Sequence, residues 1–204
     1  CHILPNAMNE DLAFILGAFL SEGFIGKQRI EFCNTDLDFI DEVKKRWAHI
    51  FPDSKLHEFR IKPSSFGRKE YTRLECWCRD TILFLHAIGL EPVRSAEKTI
   101  PKTILASPQN IVSAFLQAYF EGDGGSVKGT KRFDLFCCST SVQLIQQLQT
   151  LLLRFSIVTS RRYDASRNLN NLFIRGKNNI LQFLAHIGFY SDRKTNKVIE
   201  YLKT

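Results

Sequence analysis

Ile15-Leu16-Gly17-Ala18-Phe19-Leu20-Ser21-Glu22-Gly23 has a second copy, Leu116-Gln117-Ala118-Tyr119-Phe120-Glu121-Gly122-Asp123-Gly124. Each copy is a run of large apolar residues that closes on a small residue, an acid and a glycine. The acids Glu22 and Asp123 stand 101 residues apart, about half the chain. An apolar helix ending in a lone acid is uncommon, and two of them predict a pseudo-twofold axis with two acids meeting on it.

Working outward, the pattern around each copy also repeats. Asn9 is placed to cap the first helix, with Glu10 and Asp11 in its first turn. The run to Leu20 has hardly a polar face, so the helix is expected to be buried on nearly all sides. Gly17 and Ala18 would admit a close neighbour, and Gly23 ends the helix as a C′ glycine. From Phe24 to Cys33 the period drops to two. Phe24, Gly26, Gln28, Ile30 and Phe32 are read as one face of a strand, and Ile25, Lys27, Arg29, Glu31 and Cys33 as the other. Leu37 to Phe51 is an amphipathic helix. Lys55–Lys62 and Tyr71–Arg79 are strands around a basic Pro/Gly loop, and Thr81–Ile88 is a short helix.

The order then restarts. Ser107-Pro108 is read as an N-cap with Pro at the first helical position. Cys138-Ser139-Thr140-Ser141 echoes Cys33-Asn34-Thr35-Asp36. Ile180 to Gly188 echoes Ile82 to Gly89, and Arg193-Lys194-Thr195 echoes Glu97-Lys98-Thr99. The chain is therefore a tandem duplication: an N-terminal lobe over 9–90, a connector over 91–107 and a C-terminal lobe over 108–204. Each lobe reads as αββαββα, an α+β plan whose antiparallel sheet is covered by helices on one face. The other face must meet solvent or a ligand.

At 204 residues, 44% hydrophobic and 24% charged, the chain reads as an ordinary globular protein. No apolar run approaches the roughly 18 residues of a bilayer span, and the start does not read as a signal peptide. The first residue is not Met and Met8 is the sole Met, so a fragment or a leader before Met8 is expected. The formal net charge of +7 permits an anionic partner such as nucleic acid. The six cysteines include no C-x-x-C pair and read as reduced fillers of small spaces.

The doubled motif resembles that of the LAGLIDADG homing endonucleases in their single-chain, two-motif form. It fits best at Ser21-Glu22-Gly23 and Gly122-Asp123-Gly124. The apolar-small start is met by Leu16-Gly17 and only loosely by Gln117-Ala118. The resemblance spans both halves. It implies that the motif helices pack side by side at the lobe interface, with Gly17 and Ala118 where the backbones approach. It also implies that Glu22 and Asp123 bind a divalent metal, Mg²⁺ with Mn²⁺ or Ca²⁺ able to take its place for binding, against the scissile phosphates. Ser21 and Gly122, one residue earlier, join them as metal-site residues. Elementary electrostatics agrees: a carboxylate at a helix C-terminus meets the negative end of the dipole, and a second carboxylate adds repulsion, until a cation joins them.

The family also carries a basic residue per lobe near the reaction centre, and the in-register Lys98 and Lys194 are the candidates. Asn34 and Ser139 close the first strand of each half and are candidates for placing water, with Thr35 and Thr140 as the helix caps. Glu121 has no acidic counterpart, since Leu20 holds its place, and is read as structural or solvent-facing.

The implied ligand of the open sheet faces is double-stranded DNA in a saddle formed by the two sheets. Base edges need Arg, Lys, Asn, Gln and acids. In the first half these are Lys27, Arg29, Glu31, Lys62, Arg68, Lys69, Arg73 and Glu75. In the second they are Lys128, Lys131, Arg132, Asp134, Arg161, Arg162, Arg167, Asn168, Asn171 and Arg175. Because the lobes differ here, the target is expected to be long and asymmetric, bent on binding, and cut with a stagger. The expected enzyme is a monomer with internal pseudo-dimer symmetry, intracellular in a cytoplasm or an organelle. An RNA-binding intron maturase and a catalytically silent DNA-binding protein are the rivals of the same fold. With Cys1 but no terminal His-Asn and no room for a splicing domain, a free-standing intron-encoded enzyme or an excised domain is expected rather than a complete intein.

Overall fold

The computed structural model describes residues 3–62, 69–128 and 133–203. The first lobe runs α1 (Glu10–Glu22), β1 (Gly23–Ile25), β2 (Ile30–Asn34), α2 (Leu37–Ile50), β3 (His57–Ile61), β4 (Tyr71–Cys76) and α3 (Arg79–Ala87). A 3₁₀ turn (Ser95–Glu97) and the short α4 (Lys102–Leu105) lead into the second lobe. That lobe runs α5 (Gln109–Asp123), β5 (Gly124–Lys128), β6 (Phe133–Ser139), α6 (Val142–Leu153), β7 (Thr159–Asp164), β8 (Leu169–Arg175) and α7 (Lys177–His186). The sheets have the orders β1-β2-β4-β3 and β5-β6-β8-β7, antiparallel throughout. The predicted αββαββα plan is present twice. A further helix, α8 (Asp192–Leu202), follows, beyond the predicted plan; it is amphipathic but polar overall and buries only Val198.

The Asn9 side chain caps α1 by accepting from Leu12 N at 2.9 Å. Every residue from Leu12 to Leu20 is buried, because α1 lies between its own sheet and α5. Small residues allow this. A Cβ added to Gly17 would sit 2.2 Å from the Phe115 carbonyl oxygen and 3.2 Å from Ala118 Cβ. One turn further along, a Cβ on Gly122 would sit 2.2 Å from Ser21 Oγ. Gly17 meets Ala118, and Ser21 meets Gly122, so backbone and side chain alternate across the seam.

Gly23 and Gly124 are not left-handed caps. Their φ angles are −97° and −84°, open to any residue. They are glycine for room: a Cβ at either would lie 2.3 Å from the carbonyl oxygen of Phe19 or Phe120. The chain passes from helix into strand with no linker, which fixes the direction of the acid just before the glycine.

Several local expectations are corrected. The stretch 24–33 is a hairpin and not one strand. Gly26 N donates to Arg29 O, and the four-residue turn flips the alternation, so exposed Phe24 pairs with Glu31 while Ile25 pairs with Ile30. Helices α2 and α6 are capped by Asp36 and Ser141, accepting from Phe39 N at 3.5 Å and Leu144 N at 3.1 Å, not by Thr35 and Thr140. Ser107 does not cap α5; its hydroxyl donates back to Thr103 O at 2.7 Å, and the helix starts after Pro108.

Candidate active site

Glu22 is the last residue of α1 and Asp123 the last of α5. The seam between these helices brings the two carboxylates together: the Glu22 stem packs where a Gly122 Cβ would be, 2.8 Å from Glu22 Cγ. Burial raises both pKa values. For Asp123 the Glu22 charge adds to burial, and the value reaches about 7. Lys98 and Lys194 oppose the rise at both acids, and burial in turn lowers the pKa of both lysines.

The lysines sit in equivalent places reached from different local structures, Lys98 from the connector and Lys194 from the first turn of α8. Lys98 Nζ donates to Leu20 O at 2.7 Å. Lys194 Nζ donates to Phe120 O at 3.2 Å, to Gly124 O at 2.8 Å and to Glu121 O. Leu20 and Glu121 are equivalent positions, so each ammonium caps last-turn carbonyls of one motif helix, where the dipole is negative, and Lys194 also binds the first carbonyl of β5. Lys194→Met is expected to cost about 1–3 kcal/mol, more than Lys98→Met, because it strips three carbonyls instead of one. Urea denaturation of the two variants measures this, and equal losses would contradict it.

Glu121 is structural but not solvent-facing. It is 4% exposed and accepts from Tyr190 N, Ser191 N and Ser191 Oγ at 2.8, 3.1 and 2.8 Å. It thereby fastens the start of α8, the helix that carries Lys194. Asn34 and Ser139 do matching local work: Asn34 Oδ1 accepts from Asp36 N and Ser139 Oγ from Ser141 N. Ser21 Oγ donates to Ala18 O at 3.0 Å, so its side chain belongs to the seam with Gly122 and only its backbone is left for a metal.

One residue escaped sequence reasoning. Tyr119 is fully buried and stands where the first copy has Ala18. Its hydroxyl lies against Asp123 and favours the ionised carboxylate, without being aimed for a well-formed hydrogen bond. The break in the repeat at this position was the available signal.

Two half-buried carboxylates with raised pKa values, the negative ends of two helices and hard oxygen donors fit a divalent cation such as Mg²⁺. Among the described residues no cluster of three or more His, Cys, Asp or Glu could hold a metal unaided. A cation on Glu22 and Asp123 would therefore need backbone, water or substrate oxygens to complete its shell.

The two lobes also have open sheet faces, opposite their buried sides. Strand register places Glu31, Arg73, Glu75, Asp134, Arg162, Asn171 and Arg175 on them, with Arg29 reaching in beside Glu31. Lys128 and Arg161 have the opposite parity, aligned with buried Phe133 and Leu172, and are corrected to edge positions. Lys27 lies in the β1–β2 turn, Arg167 and Asn168 in the β7–β8 turn, and Lys62 and Lys69 are exposed beyond strand ends. Arg68, Lys131 and Arg132 lie outside the described residues.

The acids on the open faces are covered by arginines. Arg29 Nε lies 2.6 Å from Glu31 Oε1 and Arg175 Nε 3.1 Å from Asp134 Oδ2. Arg73 Nε approaches Glu75 Oε1 to 2.7 Å, an ion pair in which the N–H is not aligned as a hydrogen bond. Arg175 also lies over the Phe173 ring, 4.3 Å from its centroid. Among the described residues no helix is long and apolar enough to cross a membrane.

The chain matches the family profile described as LAGLIDADG-like domain twice, over residues 9–89 and 110–188. It is 31% identical to the replication factor C small subunit of Methanocaldococcus jannaschii, over 96% of this chain and 10% of that protein. It is 32% identical to a DNA gyrase subunit of Mycobacterium gordonae, over 87% and 32%. The chain thus spans a tenth to a third of the length of these relatives. Its fold matches the homing endonuclease I-DmoI in complex with DNA and Mn, with TM-score 0.62, 13% identity and coverage of 88% and 96%. It also matches full-length DUF199/WhiA from Thermatoga maritima, with TM-score 0.64, 14% identity and coverage of 99% and 63%.

Proposed function

Because this chain belongs to the LAGLIDADG-like domain family, we propose that it is a site-specific endonuclease that hydrolyses double-stranded DNA with a divalent cation, leaving a staggered break. The observation that carries this reading is the pair of acids at the ends of α1 and α5. Burial makes both costly to keep ionised, with the Glu22 charge adding to it at Asp123, and a protein that only bound DNA would gain stability from amides there. Retention of both acids fits a cation site facing two phosphates, one per strand.

A bound Mg²⁺ supplies Lewis-acid polarisation and lowers the pKa of water. The chain's own groups do the rest. Glu22 and Asp123 provide anionic oxygens on the pseudo-twofold axis. Lys98 and Lys194 hold positive charge within reach of the developing phosphorane and keep the helix carbonyls from repelling it. The water gives up a proton to solvent as its oxygen bonds to phosphorus, the bridging P–O bond breaks, and the leaving oxygen takes up a proton from solvent. The open faces lie in the major groove on either side of the cut, so the target is long, asymmetric and bent. Loop and edge lysines and arginines hold the phosphates, which makes affinity fall with salt.

The relatives, each several times longer than this chain, favour a nuclease segment carried within a host polypeptide over a free-standing intron product. The test is incubation of a randomised duplex library with the protein in Mg²⁺, then sequencing of the ends. Recurrent staggered breaks at one long site are expected. Tight duplex binding in Ca²⁺ with no cleavage in Mg²⁺ or Mn²⁺ would leave a silent DNA binder, and RNA binding alone would leave a maturase.

A further inference from the structure

The two open faces are built from the same fold positions, and the register shows what evolution has put at each. Phe32 and Cys137 are equivalent, since each pairs with the glycine that ends its motif helix. Counting from them, Glu31 corresponds to Phe136 and its cross-strand partner Glu75 to Phe173. At the centre of one face two acids therefore stand directly opposite each other. At the centre of the other stand two phenyl rings, 6.3 Å apart.

Like charges directly opposite are unfavourable, and the first lobe answers with Arg29 on Glu31 and Arg73 beside Glu75. Both contacts are made through Nε, and the Arg29 and Arg73 side chains remain 54% and 31% exposed. A guanidinium held by a carboxylate is preset for two-pronged donation to guanine O6 and N7. The phenyl pair has no donor or acceptor. Half-exposed rings on a sheet that meets the major groove can recognise one base feature there, the thymine 5-methyl group.

We propose that the centres of the two faces read opposite base chemistry: Arg29 and Arg73, set on Glu31 and Glu75, select guanine at the centre of the first, and Phe136 and Phe173 select thymine methyls at the centre of the second, with the Arg175–Asp134 pair at its flank. This rests on the reading of the open faces as the DNA surface and adds what each face selects.

The experiment selects duplexes from a random library with the intact protein in Ca²⁺, then rebuilds the winning site with base analogues. Deoxyuracil in place of thymidine removes only the methyl group, and 7-deazaguanine removes only the N7 acceptor. Over the centres of the two faces the sensitivities are expected to fall in opposite halves of the site, and guanines beside Arg175 and Arg162 add deazaguanine sensitivity at the flank of the second half. Each deoxyuracil against the second lobe should cost about threefold to fivefold in affinity, the transfer value of a methyl group. Each 7-deazaguanine against the first should cost about fivefold or more. Phe136→Ala should erase the uracil effect alone and Arg73→Met should weaken the deazaguanine effect in the first half alone, which assigns the halves. Because the analogues probe the unaltered protein, a variant that folds poorly does not blunt the test. Uracil sensitivity that falls in the half assigned to the first lobe by Arg73→Met, or a neutral response to both analogues at a selected site, would overturn the inference and leave the nuclease reading standing. A library from which no duplex is enriched would remove both.

Discussion

Asp123→Asn is expected to abolish cleavage and, without metal, to make the protein more stable at pH 8. Cleavage should fall by about a thousandfold or more, since the charge stabilisation from a bound cation is worth several kcal/mol; Glu22→Gln should do likewise. The stability gain follows from the position of Asp123. Its carboxyl is raised from 3.8 to about 7, first by burial and then by Glu22, so the folded state holds a proton that the unfolded chain gives up. Stability without metal is then greatest below about pH 4 as far as this group is concerned, falls through the window from about 4 to 7, and is flat above it. The full shift corresponds to about 4 kcal/mol, an upper bound because Glu22 shares the charge. In Asp123→Asn the part of that slope due to Asp123 should vanish, leaving the part due to Glu22, whose pKa burial also raises. At pH 8 the parent should gain stability on adding Mg²⁺ and the variant should not. Thermal or urea unfolding at pH 5 and pH 8, with Mg²⁺ or EDTA, reads all of this. A parent equally stable at both pH values without metal would refute the electrostatic argument, and a variant that still cuts would refute the assignment.

Gly17→Ala is the second large effect, in the opposite direction. Elsewhere in a helix this exchange stabilises by about 1 kcal/mol. Here the new Cβ would enter 2.2 Å from a carbonyl oxygen of the neighbouring helix, and that backbone cannot rotate away. Overpacking against side chains costs about 1–3 kcal/mol; against backbone the loss should reach or exceed the top of that range, and Gly17→Val should leave little soluble protein. Ala118→Gly, across the same seam, should lose only the helical preference of about 1 kcal/mol. Urea midpoints of the three variants rank them. A Gly17→Ala midpoint equal to that of the parent would mean that the helices are not in backbone contact.

Much of this was legible in the sequence because it was written twice. The motif helices, the acids and the in-register lysines each stood out through a counterpart 96 to 101 residues away, and the sheet order follows from repeating one pattern. What was hidden depended on single copies or on turns. The hairpin at Gly26–Arg29 sits inside an unbroken alternation, so periodicity carried Phe24 onto the wrong face. Lys128 and Arg161 look like strand readers until register fixes their parity. Helix α8 is anchored by Glu121, a contact 70 residues long, and its own sequence buries one residue. The ion pairs over Glu31, Glu75 and Asp134 come from side-chain packing that spacing alone does not reveal.

The alternation across the helix seam also decides what this chain can pair with. Glycine faces a side chain at both levels, Gly17 against Ala118 and Gly122 against Ser21. Two copies of α5 meeting in this way would set Ala118 against Ala118 where the backbones touch, and two copies of α1 would set Ser21 against Ser21. The seam accepts one helix of each kind and rejects like with like. Tethered on one chain, the correct partners meet at an effective concentration on the order of millimolar, so a swapped dimer is disfavoured both by fit and by arrival time.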